Sequence, residues 1–140
     1  MAALPGQPPF ALRARILTPL ATGGTHYERD GLLTVDAAGR LGAVGPWPGE
    51  AAAAQLGAVI DLRPHVLLPG MVDLHLHLPQ LPSAGLGAGL HLLDWLERYI
   101  FPLERRFDDA EAAAAVAPAT FRALAAAGTT TALMYGAVFE

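Results

Sequence analysis

The residues best suited to chemistry in this sequence are an aspartate and two histidines at alternate positions, Asp73, His75 and His77. Successive side chains of an extended strand point to opposite faces, so these three share one face of a strand over residues 71–78 (MVDLHLHL). The two histidine Cα atoms are then about 6 to 7 Å apart, which lets both imidazoles reach one metal ion. The spacing predicts a metal site with His75 and His77 as ligands, and Asp73 as a partner that orients a ligating ring.

A plainer interpretation of this pattern is an exposed polar strand face on which two histidines merely contact water. For an isolated pair of alternating histidines we would prefer that interpretation. Here the neighbouring elements indicate a parallel sheet, whose strands are normally apolar on both faces. Polar side chains at the carboxyl end of such a strand therefore favour a functional site.

The second half of the chain has the pattern of alternating strands and helices. A leucine-rich segment over 90–103 has helical spacing, and Pro102 marks its predicted end. Asp108, three residues before Glu111, resembles a capping box and predicts the start of an alanine-rich helix. The β-branched start of 129–135 (TTTALMY) predicts a buried strand. This order of elements begins a parallel α/β fold.

The first half of the chain is predicted to be all-β. Residues 10–17 (FALRARIL) alternate with the period of a half-buried strand. Two short strands over 31–36 and 41–44 flank a turn in which Gly39 supplies a positive φ. The polar segment 22–30 is expected to be a loop.

Composition excludes several classes of protein. The 140 residues contain no cysteine, which excludes disulfides and thiolate ligands and leaves histidines and carboxylates as metal ligands. Nine basic residues against thirteen acidic ones give a net charge of -4 without a basic patch, so no nucleic-acid partner is expected. No apolar run predicts a transmembrane helix, and the chain start lacks the pattern of a secretory signal, so a cytoplasmic location is expected.

Several segments resemble a known family. Residues 67–77 (LLPGMVDLHLH), with the hairpin before them, resemble the opening of the metal-dependent amidohydrolase superfamily. Residues 77–80 (HLPQ), 92–107 (LLDWLERYIFPLERRF) and 128–131 (GTTT) are similar to the guanine deaminases of that superfamily.

The resemblance implies a fold, an α/β (β/α)8 TIM barrel that carries a small β-sandwich. Residues 1–68 would supply N-terminal strands of the sandwich, and residues 69–140 the first strand, the helices and the second strand of an incomplete barrel. A whole eight-stranded barrel needs roughly 200 to 250 residues, so the chain is expected to be the N-terminal part of an enzyme.

Roles for individual residues are also implied by the resemblance. His75 and His77 match the first two zinc ligands of the family, and Gln80 matches the glutamine that hydrogen-bonds guanine. An amide suits that task because its carbonyl and NH₂ can pair with adjacent donors and acceptors on a purine. The remaining ligands and the proton-transferring glutamate belong to later strands, so no catalytic residue is expected within this chain. For Trp95, an approach to the substrate and a core position are both open, and its apolar neighbours favour the core position.

The function implied for the complete enzyme is zinc-dependent hydrolytic deamination of guanine to xanthine and ammonia. The expected partner is a small-molecule purine, with no membrane association and with a homodimer as the assembly of the complete protein. One alternative is another amidohydrolase deaminase, acting on adenosine-type nucleosides or triazines. Another is a non-catalytic fragment or scaffold, which the absence of the downstream ligands would indicate.

Overall fold

The computed structural model describes residues 6–137, and the chain divides between Pro69 and Gly70 into two compact units, each with its own sheet. The strands are β1 Phe10–Pro19, β2 Thr25–Val35, β3 Leu41–Pro46, β4 Val59–Leu67, β5 Met71–His77 and β6 Thr129–Tyr135. The α-helices are α1 Glu50–Ala53, α2 Leu92–Trp95, α3 Phe101–Glu104 and α4 Ala110–Ala126. Every helix within residues 6–137 is too short or too polar to span a lipid bilayer.

The first unit is built on a four-stranded sheet in the order β3, β2, β1, β4. Strand β1 runs antiparallel to β2 and parallel to β4. Its inward residues Leu12 and Ala14 pack with Leu62 of β4 to form the core of this unit. The alternation predicted for β1 is therefore confirmed, and Ala14 is completely buried.

The predicted loop over residues 22–30 is wrong, because β2 begins at Thr25. Tyr27 and Glu28 pair with Leu17 and Ile16 of β1, so this polar segment is held by backbone pairing rather than by apolar burial. The predicted hairpin turn at Gly39 is confirmed, with φ of 78°.

A charged cluster joins three elements of the first unit. The Arg13 guanidinium donates to both carboxylate oxygens of Asp30, at 2.8 and 2.7 Å, and to Glu50 at 2.8 Å. It also lies 4.0 Å from the centre of the Trp47 ring, within the range of a cation–π contact. Nearby, Arg63 donates to Asp61 at 2.6 Å.

The Asp61–Arg63 pair is expected to make the free energy of unfolding decrease in acid. Hydrogen bonds from the Arg63 side chain and backbone lower the pKa of Asp61 from 3.8 to about 2. Because the folded state holds this carboxylate in its charged form, the stabilisation is complete above about pH 4 and is lost as pH falls towards 2. Thermal denaturation between about pH 4 and pH 2 measures this effect. We expect the unfolding midpoint to fall less with decreasing pH in Asp61→Asn than in the unmodified protein. An equal dependence of the midpoint on pH in both proteins would mean that the Asp61 carboxylate does not contribute to the acid sensitivity.

The second unit holds two parallel strands, β5 and β6, and the chain between them contains a helical run over residues 92–108 that is followed by α4. Pro102 does not end this run as predicted but lies inside it, in the first turn of α3. A π-helical turn, Leu96–Ile100, comes immediately before. Proline lacks an N–H and its ring crowds the carbonyl four residues earlier, here that of Arg98, so the wider π turn accommodates Pro102.

Helix α4 begins one residue later than predicted. Its N-cap is Asp109, whose carboxylate accepts the backbone N–H of Glu111 at 2.9 Å, whereas Asp108 ends the preceding 3₁₀ turn. The Asp109 carboxylate thus satisfies one of the free N–H groups at the helix start. After Ala126 the chain turns through Gly128, with φ of 94°, into the predicted strand β6.

Candidate active site

The ladder between β5 and β6 contains two irregularities that compensate each other. Met71 pairs with Thr129 but Val72 pairs with Thr131, so Thr130 is an extra residue in β6. Gly70 lies against Thr130, and a Cβ there would overlap the threonine side chain. Asp73 pairs with Ala132 and Leu76 with Met134, so β5 carries an extra residue in return. This bulge falls at residues 74–75 and therefore sets where His75 points.

Both predicted metal ligands lie together at the carboxyl end of β5. The ring centroids of His75 and His77 are 5.1 Å apart, with planes inclined at 65°. His75 is exposed and His77 is half-buried. The alternation in the sequence thus corresponds to two neighbouring imidazoles, although their ligand role stays a prediction.

Asp73 contacts His75 in a different way from the one predicted. Its carboxylate accepts the backbone N–H of His75 at 3.0 Å, rather than a ring N–H. That N–H belongs to the bulge, where regular pairing with β6 is interrupted. Asp73 therefore supports the backbone that carries the imidazole, because it satisfies a donor that the sheet leaves free.

A third ring, Tyr135, completes a cluster that sequence reasoning missed. Tyr135 pairs in register with His77, and their rings stack with centroids 5.0 Å apart at 21°. The Tyr135 ring is also 5.0 Å from that of His75. The available signal was the position of Tyr135 as the last residue of β6, since parallel strands place their carboxyl ends at one edge.

Gln80 follows directly in a 3₁₀ helix, Leu78–Ser83, that continues from β5. Its side-chain Nε2 donates to Oε1 of Glu104, 24 residues later, at 3.0 Å, and both side chains are half-buried. Its backbone carbonyl accepts the hydroxyl of the buried Ser83 at 2.8 Å. The amide is thus held by Glu104 and lies on a short 3₁₀ helix that begins directly after His77. Its predicted role in substrate binding stays a prediction.

Trp95 is half-buried and lies at the edge of the helical run rather than deep in a core. Its indole Nε1 donates to the carbonyl of Leu86 at 3.0 Å, which ties the glycine-rich loop to the helix. Gly87 has φ of 73°, and a Cβ there would lie 2.7 Å from the Trp95 ring and 2.9 Å from that of Tyr99. The loop can approach these rings so closely because Gly87 has no side chain.

The donor atoms near β5 account for part of a metal site. No group of three or more histidine, cysteine, aspartate or glutamate side chains is arranged to hold a metal ion within residues 6–137. Two imidazoles on one strand end nonetheless fit the chemistry of a zinc site, which takes nitrogen ligands at about 2.0 to 2.1 Å. The His75–His77 pair can therefore supply two ligands, and further ligands must come from other residues.

The stacked ring of Tyr135 should matter for metal affinity. We expect Tyr135→Ala in the full-length protein to lower zinc affinity roughly tenfold, the lower end for loss of a group that orients a ligand. Competition with a chromophoric chelator measures this effect without relying on activity. Tyr135→Phe keeps the ring and should retain the affinity of the unmodified protein. Equal affinity in the alanine variant would mean that the stack does not orient His77.

A family model described as the amidohydrolase family matches residues 66–139, which is just over half of the chain. The chain belongs to the amidohydrolase family. The matched range includes both histidines, Gln80, Glu104 and Tyr135. Family membership and the α/β fold class, the N-terminal part of an amidohydrolase barrel protein, are thereby confirmed.

Several proteins to which this chain is similar are named guanine deaminases. The "Probable guanine deaminase" of Deinococcus radiodurans is 42% identical over 114 residues, which are 79% of this chain and 26% of that protein. Guanine deaminase of Escherichia coli strain K12 is 38% identical over 114 residues, which are 81% of this chain and 26% of that protein. The solved structure of E. coli guanine deaminase has a TM-score of 0.76 and 34% identity, covering 93% of this chain and 32% of that chain. The chain thus spans about a quarter of the length of these curated relatives.

Proposed function

We propose that the full-length protein containing this chain catalyses the zinc-dependent hydrolytic deamination of guanine. One guanine and one water give one xanthine and one ammonia. The observation that carries the proposal is the juxtaposition of two imidazoles at the end of β5 with an anchored amide, Gln80, on the 3₁₀ helix that follows. The names of the similar proteins support guanine as the substrate.

His75 and His77 would each hold the zinc ion through one ring nitrogen. The chemistry that zinc supplies when bound is the activation of water near neutral pH, for attack on the ring carbon that carries the amino group. Asp73 fixes the backbone of His75, and Tyr135 restrains the His77 ring. Gln80 would hold the purine in register through its carbonyl oxygen and its remaining N–H.

The position of these residues within the amidohydrolase fold supports the proposal. In such barrels the active site forms at the carboxyl ends of the strands. His75 and His77 lie at the carboxyl end of β5, and Tyr135 ends the parallel neighbour β6. We propose that later strands supply the remaining ligands and the proton-transferring group. By itself the chain described here should then bind zinc weakly and show no deamination.

A substrate panel tests the proposed activity. The full-length protein, purified with its metal, is given guanine, adenosine and an aminotriazine in parallel, and ammonia release is measured. We expect ammonia with guanine, in equal amount to the xanthine formed. Ammonia only with adenosine or the triazine would overturn guanine as the substrate. No ammonia with any of them, from a zinc-loaded protein, would favour a non-catalytic scaffold.

The length of the natural product decides whether the proposed activity can exist. Intact mass spectrometry of the protein from its own cells, through a peptide that contains HLHLPQ, should give about three times the 14.6 kDa of this chain. A mass near 14.6 kDa would instead indicate a product without the remaining ligands. We also propose a cytoplasmic location and a homodimer for the full-length protein, which cell fractionation and light scattering can test.

A further inference from the structure

The contact between Gln80 and Glu104 determines which way the Gln80 amide faces. An ionised carboxylate has acceptor oxygens and no donor, so the amide atom 3.0 Å from Glu104 Oε1 must be the NH₂ nitrogen. The opposite orientation would set a carbonyl oxygen against a carboxylate oxygen, two acceptors with no hydrogen between them. A charged acceptor also makes this hydrogen bond stronger than one between neutral groups.

One orientation of the amide presents one hydrogen-bonding pattern. With one N–H of Gln80 donated to Glu104, the side chain retains its carbonyl acceptor and its second N–H donor. A ligand that uses both must carry a donor next to an acceptor, as the edges of an oxopurine do. An amide that rotates freely would present its carbonyl acceptor and its NH₂ donor to the ligand in either of two arrangements.

The Glu104 carboxylate is free to accept the hydrogen bond from Gln80 because no arginine in the described part of the chain forms an ion pair with it. Arg105 and Arg106 follow directly in the chain, yet both are exposed. All ion pairs formed among residues 6–137 lie in the first unit, so in the described part of the chain Glu104 is engaged by Gln80 alone.

From these observations we propose that Glu104 is a positioning residue that acts through Gln80. It fixes the side-chain amide so that the Gln80 carbonyl accepts from a ligand N–H, and it thereby sets the donor and acceptor pattern that the site selects. This inference rests on the proposed function in taking the ligand to be a purine. The orientation of the amide itself does not depend on the reaction.

The isosteric variant Glu104→Gln tests the proposal in the full-length enzyme. A glutamine can donate as well as accept, so the Gln80 amide is no longer held in one orientation. We expect kcat/KM for guanine to fall about tenfold, mainly through KM, with zinc content unchanged. Glu97→Gln, an exposed change in the adjacent π turn, is the matched control and should leave both constants unaltered.

A double-mutant cycle separates positioning from a merely structural role. If Glu104 acts through Gln80, adding Glu104→Gln to Gln80→Ala should cause no further loss of kcat/KM. Independent, multiplicative losses in the double variant would overturn the proposal. So would a Glu104→Gln enzyme with the kinetic constants of the unmodified protein.

A spectroscopic readout keeps the inference distinct from the proposed reaction. The side-chain NH₂ of Gln80, labelled with ¹⁵N and assigned through Gln80→Ala, should give two well-separated proton resonances because one proton is bound to a carboxylate. In Glu104→Gln this separation should shrink. If guanine is not deaminated but the resonances behave in this way, the proposed function fails and the positioning role stands. Resonances that do not respond to Glu104→Gln would overturn the positioning role whatever the substrate.

Discussion

Replacing His75 with alanine should remove bound zinc from the full-length enzyme and abolish deamination. One of the two proposed ligands at the end of β5 is lost, which leaves His77 as the only imidazole on this strand and the proposed coordination of the ion incomplete. We expect zinc content to fall from about one per chain to near zero. The loss of kcat/KM should exceed the roughly 10- to 100-fold that is typical when a residue that orients a metal ligand is removed. Metal analysis of the dialysed protein, alongside the guanine assay, measures both effects.

A control variant, in which a histidine outside the site is replaced, shows whether loss of any histidine has the same effect. His91 precedes α2, is exposed and makes no side-chain capping hydrogen bond, so His91→Ala should keep full zinc content and activity. The thermal midpoints of both variants show whether the fold survives. A stoichiometric zinc signal in folded His75→Ala would contradict the ligand role of that residue.

Replacing Gln80 with alanine should impair guanine turnover and leave the metal in place. The substitution removes the amide that would pair with the purine and does not touch either imidazole. Because a ligand donor and acceptor are left without partners in a half-buried site, we expect kcat/KM to fall roughly 10- to 100-fold. Steady-state kinetics with guanine and metal analysis on the same preparation give the two readouts.

Gln55, which is exposed in the first unit, offers the same chemical change away from the site. Gln55→Ala should keep the guanine kinetics of the unmodified enzyme. Guanine kinetics that are equally unchanged in Gln80→Ala would exclude Gln80 from substrate binding. Loss of zinc in Gln80→Ala would instead mean that the 3₁₀ helix supports the metal site.

Local patterns in the sequence predicted the elements that depend on local forces. The alternation around His75 and the β-branched start of β6 both predicted strands, and the structure confirms the strands because local side-chain pattern and type favour an extended backbone. The burial predicted for β6 is wrong, since none of its residues is buried. The start of β2 was missed, since residues such as Tyr27 and Glu28 are held by pairing with β1 rather than by an apolar pattern. The predicted cap at Asp108 was wrong by one residue, because Asp108 ends a 3₁₀ turn and the next residue, Asp109, caps α4.

The residues of the candidate site also fall into two groups, those that one short motif contains and those that distant contacts bring together. His75, His77 and Gln80 lie within six residues of one another, so a short motif contains them all. Tyr135 reaches His77 across 58 residues through strand register, and Glu104 reaches Gln80 across 24 residues through helix geometry. Neither contact can be predicted from the pattern of residues in a short segment of the sequence. Sequence reasoning therefore named the residues proposed to bind metal and substrate, and it missed Tyr135 and Glu104, which contact them from distant positions in the chain.

With Gln80 and Glu104 in their proposed roles, the π-helical turn at Leu96–Ile100 makes the length of the chain, and not only the identity of its side chains, a determinant of specificity. Each residue of an α-helix advances the chain by about 100° around the axis, so one residue removed from this turn would rotate everything after it by that angle. Glu104 would then face away from Gln80, although both residues would still be encoded. A single-codon deletion between Trp95 and Pro102 could therefore redirect substrate choice during divergence while leaving every recognisable site residue in the gene.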